Sequence, residues 1–344
     1  MKQPKITLPE GWLDAEKIRS YKRPFNFIWS QRGRGKTYGF LLSCLKNNEK
    51  FVLMRRTETE LNTIANDSMS PFNPIIKDHP EIEPITIKSI PNVRCAKMLM
   101  QGEKHVGFAV AVATARNIRG FDMSDCKVII YDEFIPQEDA RPIPGEAMAF
   151  FNAYETISRN REILGQEPVY AYVLGNSNRV DNAIFVSLGL VNRAFKMQEN
   201  CEYLNFDDNR GYLLCNFMTD DEFTERKAQT ALYKLVGENS EFAQMALKNQ
   251  FLGFDSAHIA QRNLTEYKIL CKIGEICIYK HKSRAEYYVT HSVIGTPKRF
   301  TTSTADLKNA NRKYYYLAIA YLNDHVLCED AACKVIFEKY FGLS

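Results

Sequence analysis

A lysine-bearing glycine turn, set between an apolar run and a helix-forming run, constrains this chain more than any other stretch. Residues 25–38 read Phe-Asn-Phe-Ile-Trp-Ser-Gln-Arg-Gly-Arg-Gly-Lys-Thr-Tyr. The apolar run from Phe25 to Trp29 predicts a buried strand, Gly33-Arg34-Gly35 a tight turn, and Lys36-Thr37 the opening of a helix that runs on through Leu45. Strand, glycine turn and helix in that order form the context in which a P-loop cradles phosphate. Glycines let backbone N–H groups approach phosphate oxygens, and the helix N-terminus adds partial positive charge. Ser30, Gln31, Arg32, Gly33, Arg34, Gly35, Lys36 and Thr37 are therefore the candidate nucleotide-binding loop. Lys36 would reach the β- and γ-phosphates, and the Thr37 hydroxyl would ligate Mg²⁺. Ser30 stands where the usual G-x-x-x-x-G-K-[ST] pattern has its first glycine. Alone, the stretch also fits a plain glycine turn ahead of an ordinary helix.

The second half of the pattern lies about a hundred residues on, in Lys127-Val128-Ile129-Ile130-Tyr131-Asp132-Glu133. A β-branched apolar run of this kind suits a parallel strand buried on both faces. It ends in two acids at the strand's carboxyl end, where α/β sheets hold ligands. This is a Walker B pattern, with Asp132 holding the Mg²⁺ shell and Glu133 activating water. The adjacent glutamate marks an NTPase with a built-in base for hydrolysis, a group that small-molecule kinases do not need.

A chain of 344 residues has room for two domains, and its composition (45% apolar, 25% charged) is that of a globular protein. No apolar run reaches the ~18 residues of a membrane helix, and residues 1–11 lack the apolar core of a signal peptide, so an intracellular protein with no membrane partner is expected. Nine cysteines lie scattered without a C-x-x-C pair or a histidine cluster, which favours reduced, buried thiols over a zinc site. Of the net charge of +4, residues 257–344 carry +5, so the basic excess sits in the last quarter. That is a weak pointer to a polyanion.

Along the chain, residues 12–18 predict a lead-in helix, 51–54 a second buried strand, and Thr57 to Glu60 a capping box. Prolines 71, 74, 80, 84 and 91 predict a loop-rich region, and 93–100 with 106–113 a hairpin. Residues 145–162 predict a helix ending in Arg159-Asn160-Arg161-Glu162, either a solvated basic terminus or an arginine finger. A strand over 169–174 carries Gly175-Asn176-Ser177-Asn178 at its tip, either an ordinary turn or a γ-phosphate sensor. Two or three strands are expected within 195–217, one of them over 211–217, then a helical connector over 220–247 broken at Gly237. Three strands (267–272, 275–280, 286–293) lead a compact α/β tail that closes with a helix over 329–340.

The ordered set of residues 25–38 with Arg32 in the loop, 128–134, 159–162, 175–178 and Asn249-Gln250-Phe251-Leu252-Gly253 resembles the DNA-packaging ATPase of small short-tailed bacteriophages, a compact cousin of the terminase large subunit. The resemblance runs from about Tyr21 to Leu307. It implies an α/β chain: an ASCE-type P-loop ATPase domain with a mostly parallel sheet (residues 1–210), a largely helical linker (211–255) and an RNase H-like domain (256–344). It implies ATP and Mg²⁺ as ligands, and as partners double-stranded DNA, the portal protein and further copies in a homopentameric ring, with a scaffold RNA as a further candidate. The place of action would be the host cytoplasm, transiently at the procapsid portal vertex. By matching position it makes Lys36 and Thr37 Walker A and Asp132 and Glu133 Walker B. Arg159 matches the trans-acting finger with Arg161 as its neighbour, Arg119 a basic residue facing the next subunit's site, and Asn176 the coupling motif. The tail's first two strands hold no Asp, and Glu275 lies at the turn between them. Lys268, Lys272, Lys280, Lys282 and Arg284 dominate instead, so the domain is expected to grip DNA phosphates without cutting them. Two rivals remain at this stage: a P-loop kinase of a small molecule, and a DNA-binding scaffold whose loop is structural.

Overall fold

Apolar runs buried on both faces place the first sheet. β1 (Phe25–Ser30), β2 (Phe51–Arg55), β3 (Ile85–Ile90), β4 (Val93–Gln101), β5 (Lys104–Ala111), β6 (Val128–Asp132), β7 (Tyr170–Asn176), β8 (Leu204–Asp207) and β9 (Tyr212–Phe217) form one sheet in the order β3-β4-β5-β2-β6-β7-β1-β9-β8. The computed structural model describes residues 6–9, 11–137, 140–177, 179–217, 221–237, 240 and 256–343. The inner strands β5, β2, β6, β7, β1 and β9 are parallel, and β4, β3 and β8 add antiparallel edges.

Both faces are covered by helices, as a parallel core requires. On one face α1 (Ala15–Ser20) and α2 (Lys36–Lys46) pack down, with Phe40 stacked on Tyr172 at 4.4 Å between ring centroids. The capping box read from Thr57 and Glu60 starts α3 (Glu58–Ile64). The proline-rich stretch, expected to be loop, contains α4 (Asn73–Asp78) and the edge strand β3; Pro74 sits in the first turn of α4, where a missing N–H costs nothing. On the other face lies α5 (Glu146–Ser158), whose Phe150 stacks on Tyr131 at 5.4 Å. The predicted helix over 145–162 thus stops at Ser158, because Arg159 and Asn160 take left-handed backbone angles (φ 43° and 60°).

α5 is anchored by a buried ion pair. Arg56 donates through Nε and Nη2 to Glu146 Oε1 and Oε2 (2.8 and 3.1 Å), and the Tyr131 hydroxyl donates to Oε1 at 2.7 Å. Arg56 and Glu146 are each less than 5% exposed, so removing one strands the other's charge in the interior. Glu146→Ala should therefore cost about 3–5 kcal/mol of stability. Urea denaturation measures this, and an unchanged midpoint would refute it.

Two corrections concern the linker. Residues 195–199, expected to begin a strand region, lie in a helix (Val191–Glu199), and the strand read over 211–217 is β9, in the first sheet and not in the helical linker to which it was assigned. All six residues of β9 are buried beside β1, so this strand belongs to the first sheet. Short helices follow at Asp221–Ala228 and Ala231–Val236, the second capped by Gly237. The rest of the 220–247 connector and the motif at 249–253 lie outside the described residues.

By contact the chain divides into residues 1–184 with 196–252, and residues 185–195 with 253–344. The second unit's main stretch starts at 253, against the 256 expected for the tail domain, and residues 211–252, expected as a separate linker, fall in the first unit. The second unit is α/β, with a mixed sheet of β10 (Tyr267–Ile273), β11 (Ile276–His281), β12 (Tyr287–Thr290), β13 (Lys298–Phe300) and β14 (Val326–Cys328). The meander β10-β11-β12 is as read from the sequence, with β13 parallel beside β10 and β14 parallel beside β12. Helices at Thr304–Lys313, Tyr316–Leu322 and Ala331–Phe341 contribute Ala310, Leu317, and Phe337 with Phe341, respectively, to its core.

Candidate functional site

Strand register brings the motifs to one edge. Ser30 pairs with Asn176 and Asp132 with Leu174, so β1, β6 and β7 end side by side at the carboxyl edge of the first sheet. β7 lies between the lysine strand and the acid strand, which puts Asn176 between the two motifs.

Gly33 and Gly35 have φ of 77° and 72°, the left-handed region that glycine enters without strain, and Gly35 is the N-cap of α2. Lys36 is buried, and its Nζ donates to Ser30 Oγ (2.6 Å), the Gln31 carbonyl (3.1 Å) and Asn176 Oδ1 (3.2 Å). Ser30, the departure from the usual pattern, therefore has a job: its hydroxyl parks the lysine. Burial lowers the Lys36 ammonium to about 7, against the pull of Asp132. Thr37 Oγ1 donates to Asp132 Oδ1 at 2.8 Å, so the two sequence-predicted metal ligands are in contact. They fit Mg²⁺: one hydroxyl and one carboxylate side by side at a helix N-terminus are hard oxygen donors of the kind this ion takes.

Glu133 follows Asp132 with φ 60°, a left-handed angle that is strained for a glutamate. The Phe134 N–H, bonded to the Leu174 carbonyl at 3.1 Å, holds the turn. A Cβ on Gly175 would lie 2.8 Å from Phe134 and Ile135, so only glycine lets the Walker B turn sit on β7. Burial raises the Glu133 carboxyl above its ordinary range, with Arg55 opposing.

Two neighbours, Arg55 and Lys227, were not singled out from the sequence. Arg55 Nη1 lies 2.5 Å from Asp132 Oδ2 and 3.7 Å from Glu133 Oε2, a cation between the two acids. Its only sequence signal was its place at the end of β2. Arg34, buried, lies over the rings of Phe217 (4.5 Å) and Phe223 (4.2 Å). Lys227, on the helix Asp221–Ala228, donates to the Arg32 carbonyl at 2.8 Å, and burial beside Arg34 and Arg32 lowers it to about 8. Arg32 itself is exposed. Next to the loop, Trp12, Tyr38, Gly39 and Leu42 line a mainly apolar cavity of about 500 Å³.

The candidate arginines lie elsewhere. Arg159 and Arg161 follow α5 and border a polar cavity with Lys50, Lys127 and Gln166, residues that precede β2, β6 and β7. That is the amino edge of the sheet, a five-residue strand or about 15 Å from the P-loop. Arg159 donates to the Phe121 carbonyl (2.7 Å) and pairs with Asp122 (3.3 Å), while Arg161 donates to the Ser124 carbonyl (2.7 Å). Arg119 is exposed after the 3₁₀ turn Val112–Ile118. Arg159 and Arg161 are thus not brought to the P-loop of their own chain.

The basic residues of the second unit do not form one patch. Lys268 and Lys280 are exposed and directly opposite each other on β10 and β11, with no carboxylate partner among the described residues. Lys272 pairs with Cys277 and faces the other side of the sheet. Lys282 and Arg284 are tied into the turn, the first to the Thr265 carbonyl (2.7 Å), the second to the His281 ring (2.9 Å).

A lysine–threonine P-loop facing an Asp-Glu pair across an inserted strand defines the class: an α/β P-loop ATPase fold. Within that class, the chain belongs to the Podovirus DNA encapsidation protein (Gp16) family, whose model matches residues 11–318. It is 24% identical to the DNA packaging protein of Bacillus phage phi29 over 351 aligned positions, covering 96% of this chain and 97% of the relative. It is also 24% identical to that of Bacillus phage B103, covering 94% and 98%. In fold it is similar to the phi29 viral genome packaging motor assembly (TM-score 0.68, 21% identity, 96% of this chain and 99% of the other). It is likewise similar to the Phi-28 gp11 DNA packaging motor (TM-score 0.67, 17% identity, 97% and 98%).

Proposed function

We propose that the chain is an ATP-driven motor that translocates double-stranded DNA into a preformed capsid, acting as a ring of copies at the portal during packaging. The observation that carries this reading is the contact of Thr37 with Asp132 at the edge where Lys36 and Asn176 also meet, in a chain of the DNA encapsidation family. The backbone N–H groups of residues 33–37 and Lys36 would hold the phosphates of ATP, and the apolar cavity beside Tyr38 and Trp12 would take the base. Thr37 and Asp132 would hold Mg²⁺, which when bound neutralises charge on the phosphates. Glu133 orients the attacking water and accepts its proton as the β–γ bond breaks, giving ADP and inorganic phosphate. Asn176, held to Lys36 before nucleotide arrives, would exchange that bond for the γ-phosphate and lose it again after hydrolysis. Arg159 of a neighbouring copy would complete the site.

Grip on DNA must be to phosphates, since a motor moves any sequence. The Lys268–Lys280 pair suits this, because like charges directly opposite in a sheet repel until an anion lies between them. ATPase assays with and without duplex DNA test the proposal: turnover should rise with any duplex, and the duplex effect should fade with salt. Turnover indifferent to DNA but dependent on a small phosphate acceptor would replace the motor with a kinase.

The Lys36 environment gives a pH dependence. The charged lysine binds triphosphate, and bound phosphates raise its pKa. Above about 7 the free protein must therefore take up a proton to bind, and the Kd for ATP should rise by up to about tenfold per pH unit. Titration calorimetry across that window measures it, and a flat Kd would show that Lys36 stays charged without nucleotide.

A further inference from the structure

We propose that the second unit binds a transition-metal ion, Zn²⁺ by its donor chemistry, through His291, Asp330 and Cys333. The sequence hides this set, because His291 lies far from Asp330 and Cys333 in the chain and no C-x-x-C pair marks the place. The fold assembles it. β12 and β14 are parallel neighbours, with Val289 opposite Cys328, so His291 and Asp330 leave the sheet at the same edge. Asp330 is the N-cap of the helix Ala331–Phe341 and accepts the Cys333 N–H at 2.8 Å, which turns the first helical turn back beside it. One imidazole nitrogen, one carboxylate oxygen and the thiol sulfur all lie within 4.8 Å of one another, the only such group of three or more among the described residues. Donors around tetrahedral zinc stand roughly 3.3–3.7 Å apart, so a small closure completes the site.

The surroundings favour a ligand role. The Glu275 carbonyl lies 3.3 Å from His291 Nδ1 and can take its proton's bond, which leaves the Nε2 lone pair for a metal. Asn192 Nδ2 donates to Asp330 Oδ2 at 2.8 Å, and each carboxylate oxygen retains a further lone pair. Burial is graded from exposed His291 through half-buried Asp330 to buried Cys333, an entry path from solvent. Thiolate, imidazole and carboxylate together select zinc over magnesium, and three protein donors leave the fourth position to water. The ion would tie the ends of β12 and β14 to the start of the last helix, with the thiol proton released to solvent. The inference does not rest on the motor reading.

Titration of the chelator-treated full chain with Co²⁺, in excess Mg²⁺ to occupy the nucleotide site, tests it. One equivalent should produce a thiolate-to-metal charge-transfer band and the visible bands of tetrahedral cobalt, both removed by one equivalent of Zn²⁺. Cys333→Ser should abolish the charge-transfer band. His291→Ala, at an exposed position that leaves the core intact, should weaken binding at least tenfold. Cys201→Ser, at the exposed cysteine, should change nothing. No charge-transfer band at one equivalent, equal binding by His291→Ala, or loss of the band in Cys201→Ser overturns the proposal.

Discussion

Glu133→Gln should bind ATP with near-parental affinity and hydrolyse it about 10²–10⁴-fold more slowly, a loss of roughly 3–5 kcal/mol of transition-state stabilisation. Glutamine keeps the size of the side chain and can still hydrogen-bond water, but it cannot accept a proton. The position suits the base role proposed for it. Its strained φ of 60° persists because the Phe134 N–H bond to Leu174 and the packing of Phe134 and Ile135 over Gly175 hold the turn. Burial raises the carboxyl from its ordinary value, which brings its proton affinity nearer to that of the leaving phosphate and makes it a better base at neutral pH. The same shift sets the sign of the pH profile: turnover should climb as pH rises through the raised pKa. Phosphate release in single-turnover assays, with nucleotide binding measured in parallel, separates chemistry from affinity. Turnover within tenfold of the parent would remove Glu133 from the base role.

The two motifs were legible in the sequence because each is local: a glycine turn between a strand and a helix, and an apolar run ending in acids. Their convergence was not local, and it needed the order of strands. β7 had to be inserted between β1 and β6 before Asn176 could meet Lys36. Arg55 and Lys227 were missed for the same reason: an arginine ending a strand and a lysine in a polar helix carry no signal until the fold sets one on Asp132 and the other on the P-loop. β9 was read as a strand but set in the linker, because its buried run lies well past Asn176 and nothing in its own residues says that it pairs with β1. β3 was hidden by the prolines that flank it; an edge strand needs fewer apolar residues than a central one, and prolines at its ends do not break it. The stop at Ser158 turns on two left-handed residues, neither of them glycine, which propensity alone does not foresee.

That stop decides how Arg159 can act, and Arg159→Ala should lower turnover about 10³–10⁵-fold if the residue is the finger of a neighbouring copy. α5 begins at the carboxyl edge of the sheet, where Glu146 is clamped to Arg56 just past the end of β2, and runs across the sheet to deliver Arg159 to the far edge. A side chain there does not serve its own P-loop, so a catalytic role demands a second chain. In a heterologous ring each copy presents one edge to the next copy's other edge, which is the arrangement needed. The contacts Arg159 makes within its chain are a bond to the Phe121 carbonyl and a pair with Asp122 that solvent screens. Stability should therefore barely change while turnover collapses. Mixing distinguishes trans from cis. An Arg159→Ala copy keeps Glu133, and a Glu133→Gln copy keeps Arg159, so in an equal mixture about a quarter of the interfaces join an intact base to an intact finger. Activity near that fraction of the parent is expected where each separate variant is nearly inactive. No recovery at any ratio, with mixed rings shown to form, would leave Arg159 a structural residue of the turn and move the search to Arg161 and Arg119.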